Sequence, residues 1–316
     1  MNSDNTQKRI KGATWFFVSL IVIYLAVAAL FNFTRLGTKI GIVQNIIMSQ
    51  SMIFIPALVY IIVSRCSFRD TLRIRRTHWS AIFIVPVFVV ALEPLMTVIN
   101  SISLLWVDSA TTELSVSLVA KYPFWVSTAL MALTPCIVEE LAYRGIILGN
   151  FRCGSRIWAI VISGIMFGAM HMNFNQMAYA IVLGIMLGLL AEATGSILTT
   201  MLAHFCFNEI SVVISYITWH NDVLKESAMA SLDGGVSNKQ MLATVIMMMP
   251  AAIGGLCVAL ALLYALSVIN DRKDEVLGMF RRSEHIEGQK TRIISVPLVV
   301  SLVVCIAVMT IGEILL

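Results

Sequence analysis

Apolar residues gather in nine long blocks along this chain: 13–31, 40–63, 79–103, 124–148, 157–172, 176–193, 197–219, 241–268 and 293–316. Most are about as long as the roughly 17–25 residues that carry a helix across a hydrocarbon core of about 30 Å. The period-2 alternation of an outer-membrane barrel strand is absent. Lipid offers no hydrogen bonds to the backbone, so each block has to satisfy its own peptide groups and is expected to be a helix. The expected fold is therefore all-α, a polytopic transmembrane helix bundle of about 8–9 spans.

Composition agrees. The chain has 316 residues, of which 59% are hydrophobic and 13% charged, with a mean hydropathy of +0.88. A soluble domain carries about 25% charged residues. The distribution of charge then orients the spans. With the N-terminus in the cytosol, the inner segments 1–12, 64–78, 149–156, 194–196 and 269–292 hold sixteen of the 22 Lys and Arg residues. The outer segments hold five: Arg35, Lys39, Lys121, Lys225 and Lys239. That asymmetry is the positive-inside pattern. It predicts a multi-pass protein of the cell membrane with a cytosolic N-terminus and an extracytosolic C-terminus. Lys8, Arg9 and Lys11 before a stretch containing Ala26-Val27-Ala28 also have the outline of a signal peptide. The length of that stretch and the eight later blocks favour a retained span.

Other features narrow the chemistry. Six cysteines (Cys66, Cys136, Cys153, Cys206, Cys257, Cys305) contain no CxxC pair, which argues against a thiolate zinc site and against a disulfide framework. No inverted repeat of the transporter kind is visible. No Gly-x-Ser lies within a span, and Asp108, Asp222 and Asp233 all fall between blocks, so neither a serine nucleophile nor an aspartate pair is expected in the membrane. The segment 271–292 is expected to be solvated or headgroup-bound, and Met247-Met248-Met249-Pro250 to face lipid or neighbouring helices with a kink at the proline. Nothing points to a nucleic-acid partner; the expected partners are the lipid bilayer and a membrane-associated or peptide substrate.

Charges at membrane depth cost roughly 2.5–3.5 kcal/mol each on insertion scales and call for a function. The fourth block contains Glu139-Glu140-Leu-Ala-Tyr143-Arg144. Glu140 and Arg144 are four apart and share a helix face, so they should pair. Glu139 is rotated about 100° away and is left free for general-base work. The fifth block carries Phe167 and His171, and the seventh carries His204 and Asn208, again four apart. A glutamate, two histidines and an asparagine on three helices could hold a water and stabilise an oxyanion. Helical rise puts Glu139, His204 and Asn208 about 14, 10 and 16 Å from the inner face, but His171 about 21 Å, so His171 fits only if its helix is tilted or starts late. Of the other carboxylates, Glu93 stands alone, Glu209 adjoins Asn208, and Glu192 and Glu313 lie where they could reach headgroups.

The ordered set Glu139-Glu140-x-x-x-Arg144, Phe167-x-x-x-His171 and His204-x-x-x-Asn208 resembles the CAAX prenyl protease and bacteriocin-processing family, also called CPBP or Abi. The resemblance spans roughly residues 124–219. It divides the chain into N-terminal spans with a basic cytosolic loop (1–123), CPBP-like catalytic core helices (124–219) and C-terminal spans (220–316). It implies an intramembrane endopeptidase with Glu139 activating a water, His171 and His204 positioning the water or a metal, Asn208 donating to the oxyanion, and Glu140 and Arg144 completing the first motif. Family members are often labelled metalloproteases. Zinc on Glu139, His171 and His204 and a metal-free water are both compatible with these residues, and HExxH is absent. The resemblance also implies substrates among prenylated proteins or maturing peptides. Two other readings of the same polar network are an ion-coupled transporter and a non-catalytic membrane scaffold.

Overall fold

The structure, a computed structural model, describes residues 3–34, 40–65, 67, 69, 72–107, 110–234, 237–280 and 292–315. Arg35, Lys39, Cys66, Asp108 and the basic residues of 281–291 lie outside them. Among the described residues all regular structure is helical: α1 (Ser3–Thr34), α2 (Ile42–Ser64), α3 (Ala81–Ser103), α4 (Ala110–Lys121), α5 (Phe124–Phe151), α6 (Arg156–Ala169), α7 (Phe174–Thr194), α8 (Ile197–His220), α9 (Asp222–Gly234), α10 (Asn238–Ile269), α11 (Lys273–Gly278) and α12 (Val296–Leu315). Eight of these, α1, α2, α3, α5, α7, α8, α10 and α12, are long and apolar enough to cross a membrane. The chain is a multi-pass membrane protein.

The fifth block behaves differently from the expectation. Its helix, α6, has 14 residues and stops at Ala169. Met172 then takes a left-handed backbone (φ 50), and Asn173 caps the next helix, its side chain accepting from Gln176 N at 2.9 Å. The helix thus ends three residues short of the block's end at 172, and His171 is left in the turn between α6 and α7. The short helix still carries the chain from one end of the bundle to the other. At the basic end, Arg9 donates to Gly149 O and Asn150 Oδ1, and Arg156 meets Glu275 at 3.2 Å. At the opposite end, Asn175 donates to Asn100 Oδ1 and Ser103 Oγ, at the last turn of α3. Gln7 bonds both backbone groups of Arg292, so α1 and α12 start at the same end and run away from it.

Two apolar cores meet at α7. One joins α1, α5, α6 and α12, with Phe16, Phe17, Tyr143 and Phe167 among its larger side chains. The other joins α3, α7, α8 and α10 around Phe88, Leu92 and Leu187. The contact of α6 with α7 is made by glycine. A Cβ on Gly184 would lie 2.8 Å from Gly164 Cα, and one on Gly168 would strike Ile181. Gly164 and Gly168, and Gly184 and Gly188, are each four apart, so one small face on each helix lets the backbones touch. Ser163 Oγ donates to Tyr143 O at 3.0 Å and ties α6 to α5.

Helix α5 is continuous but widens twice, into π-helical turns over Thr128–Leu133 and Leu141–Leu148. Pro135 follows the first. Its ring crowds the carbonyl one turn back and removes a donor; the wider turn gives it room, and Thr134 Oγ1 bonds Ala129 O at 2.7 Å. The second begins at the residue after Glu140, the usual neighbourhood of such bulges being functional.

Glu192 does not reach toward headgroups. It is 1% exposed, near the end of α7, with Arg73 at 2.6 Å, Arg152 at 3.2 Å and Arg272 at 3.6 Å. Arg272 also donates to the Glu192 backbone carbonyl at 2.6 Å. One buried carboxylate thus gathers three polar connections at the basic end. Burial pulls the Arg73 guanidinium down to about 10, against the upward pull of Glu192. Part of 271–292 is therefore folded and not simply solvated: α11 forms there, and Arg272 and Glu275 pair at 2.6 Å. Pro250 is accommodated inside an unbroken α10, and Met247 to Met249 are exposed as expected. Asp222 and Asp233 belong to α9, outside the apolar helices.

Candidate functional site

The three helices that carry the motifs, α5, α6 and α8, bring most of the expected residues together. Glu140 and Arg144 are fully buried and paired at 2.8 Å, as their spacing predicts. Arg144 also donates to Gly184 O at 3.2 Å, and its guanidinium lies 4.5 Å from the centre of the Phe167 ring. The arginine therefore ties α5 to both α6 and α7 at the glycine crossing.

His204 arrives from α8 and stands between the two glutamates. Its Nδ1 is 3.0 Å from Glu140 Oε1, and its Nε2 is 3.9 Å from Glu139 Oε2. Glu140 Oε1, which also meets Arg144 Nη1, accepts from Nδ1. In the neutral ring that fixes the proton on Nδ1 and leaves the Nε2 lone pair pointing at Glu139. Glu139 itself makes no ion pair with Arg144. It accepts a hydrogen bond from Gln50 Nε2 of α2 at 3.1 Å, and its side chain retains 12% exposure.

Phe167 is the floor of this arrangement. Its ring meets those of Tyr143, His171 and His204 edge to face, at 5.2, 5.0 and 5.7 Å between centres. Its position in the motif is thus more than packing, since one ring sets the attitude of both histidines and receives Arg144. His171 is linked to the rest through this ring; its Nδ1 bonds Phe167 O at 2.9 Å. Helix α6 begins at Arg156 and so does not start late. Asn208 lies one turn beyond His204 on α8, half-buried, with no hydrogen-bond partner among the described residues. Glu209 beside it turns elsewhere and accepts from Thr128 at 2.9 Å.

Among the described residues no three His, Cys, Asp or Glu side chains are grouped so as to hold a metal ion. Glu139, His171 and His204, the set offered to zinc by the resemblance, do not form a ligand shell. His171 and His204 each meet the edge or face of Phe167, which stands between them in the contacts of the described residues. The donors that do converge, two carboxylates on one imidazole, suit proton handling.

A groove of about 300 Å³ opens beside the site between α2 and α5, lined by Ile46, Gln50, Phe54, Thr134, Ile137 and Val138 among others. Gln50 links this groove to Glu139. Sequence reading passed over Gln50, although a primary amide amid the isoleucines and Phe54 of α2 is the same kind of signal that singled out His204. It also passed over the paired glycines of α6 and α7.

Residues 121–210, from the last residue of α4 to Ile210 in α8, match the family model described as Rce1-like, Type II CAAX prenyl endopeptidase Rce1-like. All three motifs fall inside the match. No curated protein and no solved structure matches the chain. The likeness read from the motifs holds, and it covers the helices that form the site.

Proposed function

We propose that the Rce1-like domain makes this chain an intramembrane endopeptidase, hydrolysing peptide bonds of membrane-associated proteins or peptides with a water activated by Glu139. The observation that carries the reading is the facing pair Glu139 Oε2 and His204 Nε2, 3.9 Å apart inside the bundle, with Glu140 holding the ring from its other nitrogen. An oxygen about 2.8 Å from each atom fits this gap with an angle near 90°. Such a water gives one hydrogen to Glu139 and the other to His204, and its lone pair faces a substrate carbonyl.

The reaction then proceeds in two steps. As the new C–O bond forms, one water proton passes to Glu139, and the carbonyl electrons move onto oxygen. Asn208, whose amide has no other partner among the described residues, supplies an N–H to that oxyanion, and His171 flanks it. The C–N bond breaks as the protonated Glu139 returns its proton to the leaving amine, giving a free carboxyl and a free amine. Arg144 keeps Glu140 charged and so keeps His204 oriented. The basic end of the bundle is assigned to the cytosol of the cell membrane, with cleavage at a cytosolic or membrane-embedded bond.

The test compares peptide termini in membrane and secreted fractions from cells with wild-type chain, Glu139→Gln or His204→Ala at matched expression. Termini present with the wild type and missing with both variants identify a protease and name its substrates. Identical termini in all three, with deletion phenotypes rescued by Glu139→Gln, establish a scaffold in its place.

A further inference from the structure

We propose that Gln50 is the positioning residue for Glu139: its side-chain amide ties down one carboxylate oxygen so that the other faces His204 and the water. The inference rests on Glu139 being the base, and it lies outside the segment that resembles a known family, since α2 precedes residue 121.

Three observations carry it. First, the bond from Gln50 Nε2 to Glu139 Oε1 is the one hydrogen bond that Glu139 makes among the described residues. The remaining contact, to His204, is 3.9 Å long and does not fix a side chain with several rotatable bonds. An ionised carboxylate only accepts, so the Gln50 N–H has to point at it. Second, Gln50 lies deeper in α2 than its other two amides, Gln44 and Asn45, which belong to the first turn. Ile46, Ile47, Ile53 and Phe54 surround it, and an amide there is costly unless it is used. Its Oε1 is buried and finds no partner. A glutamine kept to cement two helices would satisfy both ends; this one satisfies only the end on Glu139. Third, Gln50 stands where the groove between α2 and α5 reaches the site, on the wall opposite Thr134, Ile137 and Val138. The turn carrying those residues leads directly into Glu139. The grip on the carboxylate therefore comes from the facing helix, and Glu139 is held across the groove.

The consequence is that Gln50 acts on turnover through Glu139. A carboxylate misplaced by about 1 Å can cost 10²-fold. The experiment uses the full-length chain in membranes and scores the rate at which Glu139-dependent termini appear. Gln50→Leu and Gln50→Glu should each slow that rate by about 10- to 100-fold. The second is nearly isosteric but sets a carboxylate against a carboxylate. Ser49→Ala, beside it on α2 but outside the groove lining, with its hydroxyl spent on Ile46 O, should stay within about twofold, the range usual for a surface change. A second arm measures thermal midpoints of purified protein in detergent for Gln50→Leu, Glu139→Leu and the double variant. If amide and carboxylate are bonded, the shift caused by Gln50→Leu disappears when Glu139 is already leucine.

Slowed termini with that coupling support the proposal. Rates near wild type in Gln50→Leu overturn it. Slowed termini with no coupling also overturn it, because the loss then comes from general damage to α2. If no terminus depends on Glu139 at all, the protease reading fails, and the thermal arm alone decides whether Gln50 holds the carboxylate.

Discussion

Removing Arg144 is the sharpest test of how the site is held together. In Arg144→Met the side-chain volume is nearly kept and the charge is lost. Glu140 is then a carboxylate with no exposure, left with the uncharged hydroxyl of Thr200 and the ring of His204 as its side-chain partners among the described residues. Breaking one side of a buried pair costs about 3–5 kcal/mol, because the remaining charge stays desolvated. The lost bond to Gly184 O adds about 1 kcal/mol, and the lost contact with the Phe167 face up to about 2 kcal/mol. Even the low end, about 3 kcal/mol, lowers the folding ratio by about 100-fold. Replacing both partners, Glu140→Leu with Arg144→Met, removes the buried charge altogether and should recover most of that loss. Unfolding in detergent, followed by tryptophan fluorescence, measures both; the chain has six tryptophans. Activity should separate from stability in the double variant, which regains its fold yet leaves His204 Nδ1 without Glu140. A double variant no more stable than Arg144→Met refutes the account, and so does one that recovers full activity.

Further outcomes follow from the same geometry. Glu139→Gln should abolish activity, at least the 10²–10⁴-fold that a general base contributes, with an unfolding midpoint close to wild type, since Glu139 pairs with no buried cation. Phe167→Ala should cost about 3–5 kcal/mol of stability, whereas Phe167→Tyr or Trp, if folded, tests how far the ring sets the histidines; hydrogen-exchange or unfolding data on the alanine variant check the first number. Gly184→Ala places a methyl 2.8 Å from Gly164 Cα and should cost about 1–3 kcal/mol by forcing α6 off α7; Gly254→Ala, where a Cβ meets nothing within 4 Å, is the matched control in the same unfolding assay. Glu192→Gln should leave three arginines facing a neutral amide and lower stability, most at low salt, where their mutual repulsion is least screened.

The parts of this structure legible in the sequence are those fixed by local physics. A run long enough to span lipid and free of charge has little choice but helix, so the blocks and the long helices coincide within a few residues at most ends. The Glu140–Arg144 pair was equally readable, because four-residue spacing decides it. What escaped depends on partners far along the chain. Gln50 and Glu139 are 89 residues apart, so nothing near Gln50 marks it as the holder of a carboxylate. Glu192 looks free beside a basic face until Arg73, Arg152 and Arg272 converge on it from three connections. The end of α6 was hidden for a different reason: a left-handed Met172 has no signature in an apolar run, and only Asn173 hinted at a cap. The turn that results holds His171, whose Nδ1 reaches back to Phe167 O.

The short α6 has a consequence for the lipid as well as for the protein. Fourteen residues rise about 21 Å, against a hydrocarbon core of about 30 Å. Trp158, near the start of α6, is exposed, but Ile160, Met166 and Phe167 further along are buried, so acyl chains reach only the start of this helix. A bare span of this length would make the lipid thin, tilt or admit water, at a cost that grows with each ångström of mismatch. Covered by its neighbours, α6 leaves that cost to whichever substitution uncovers it.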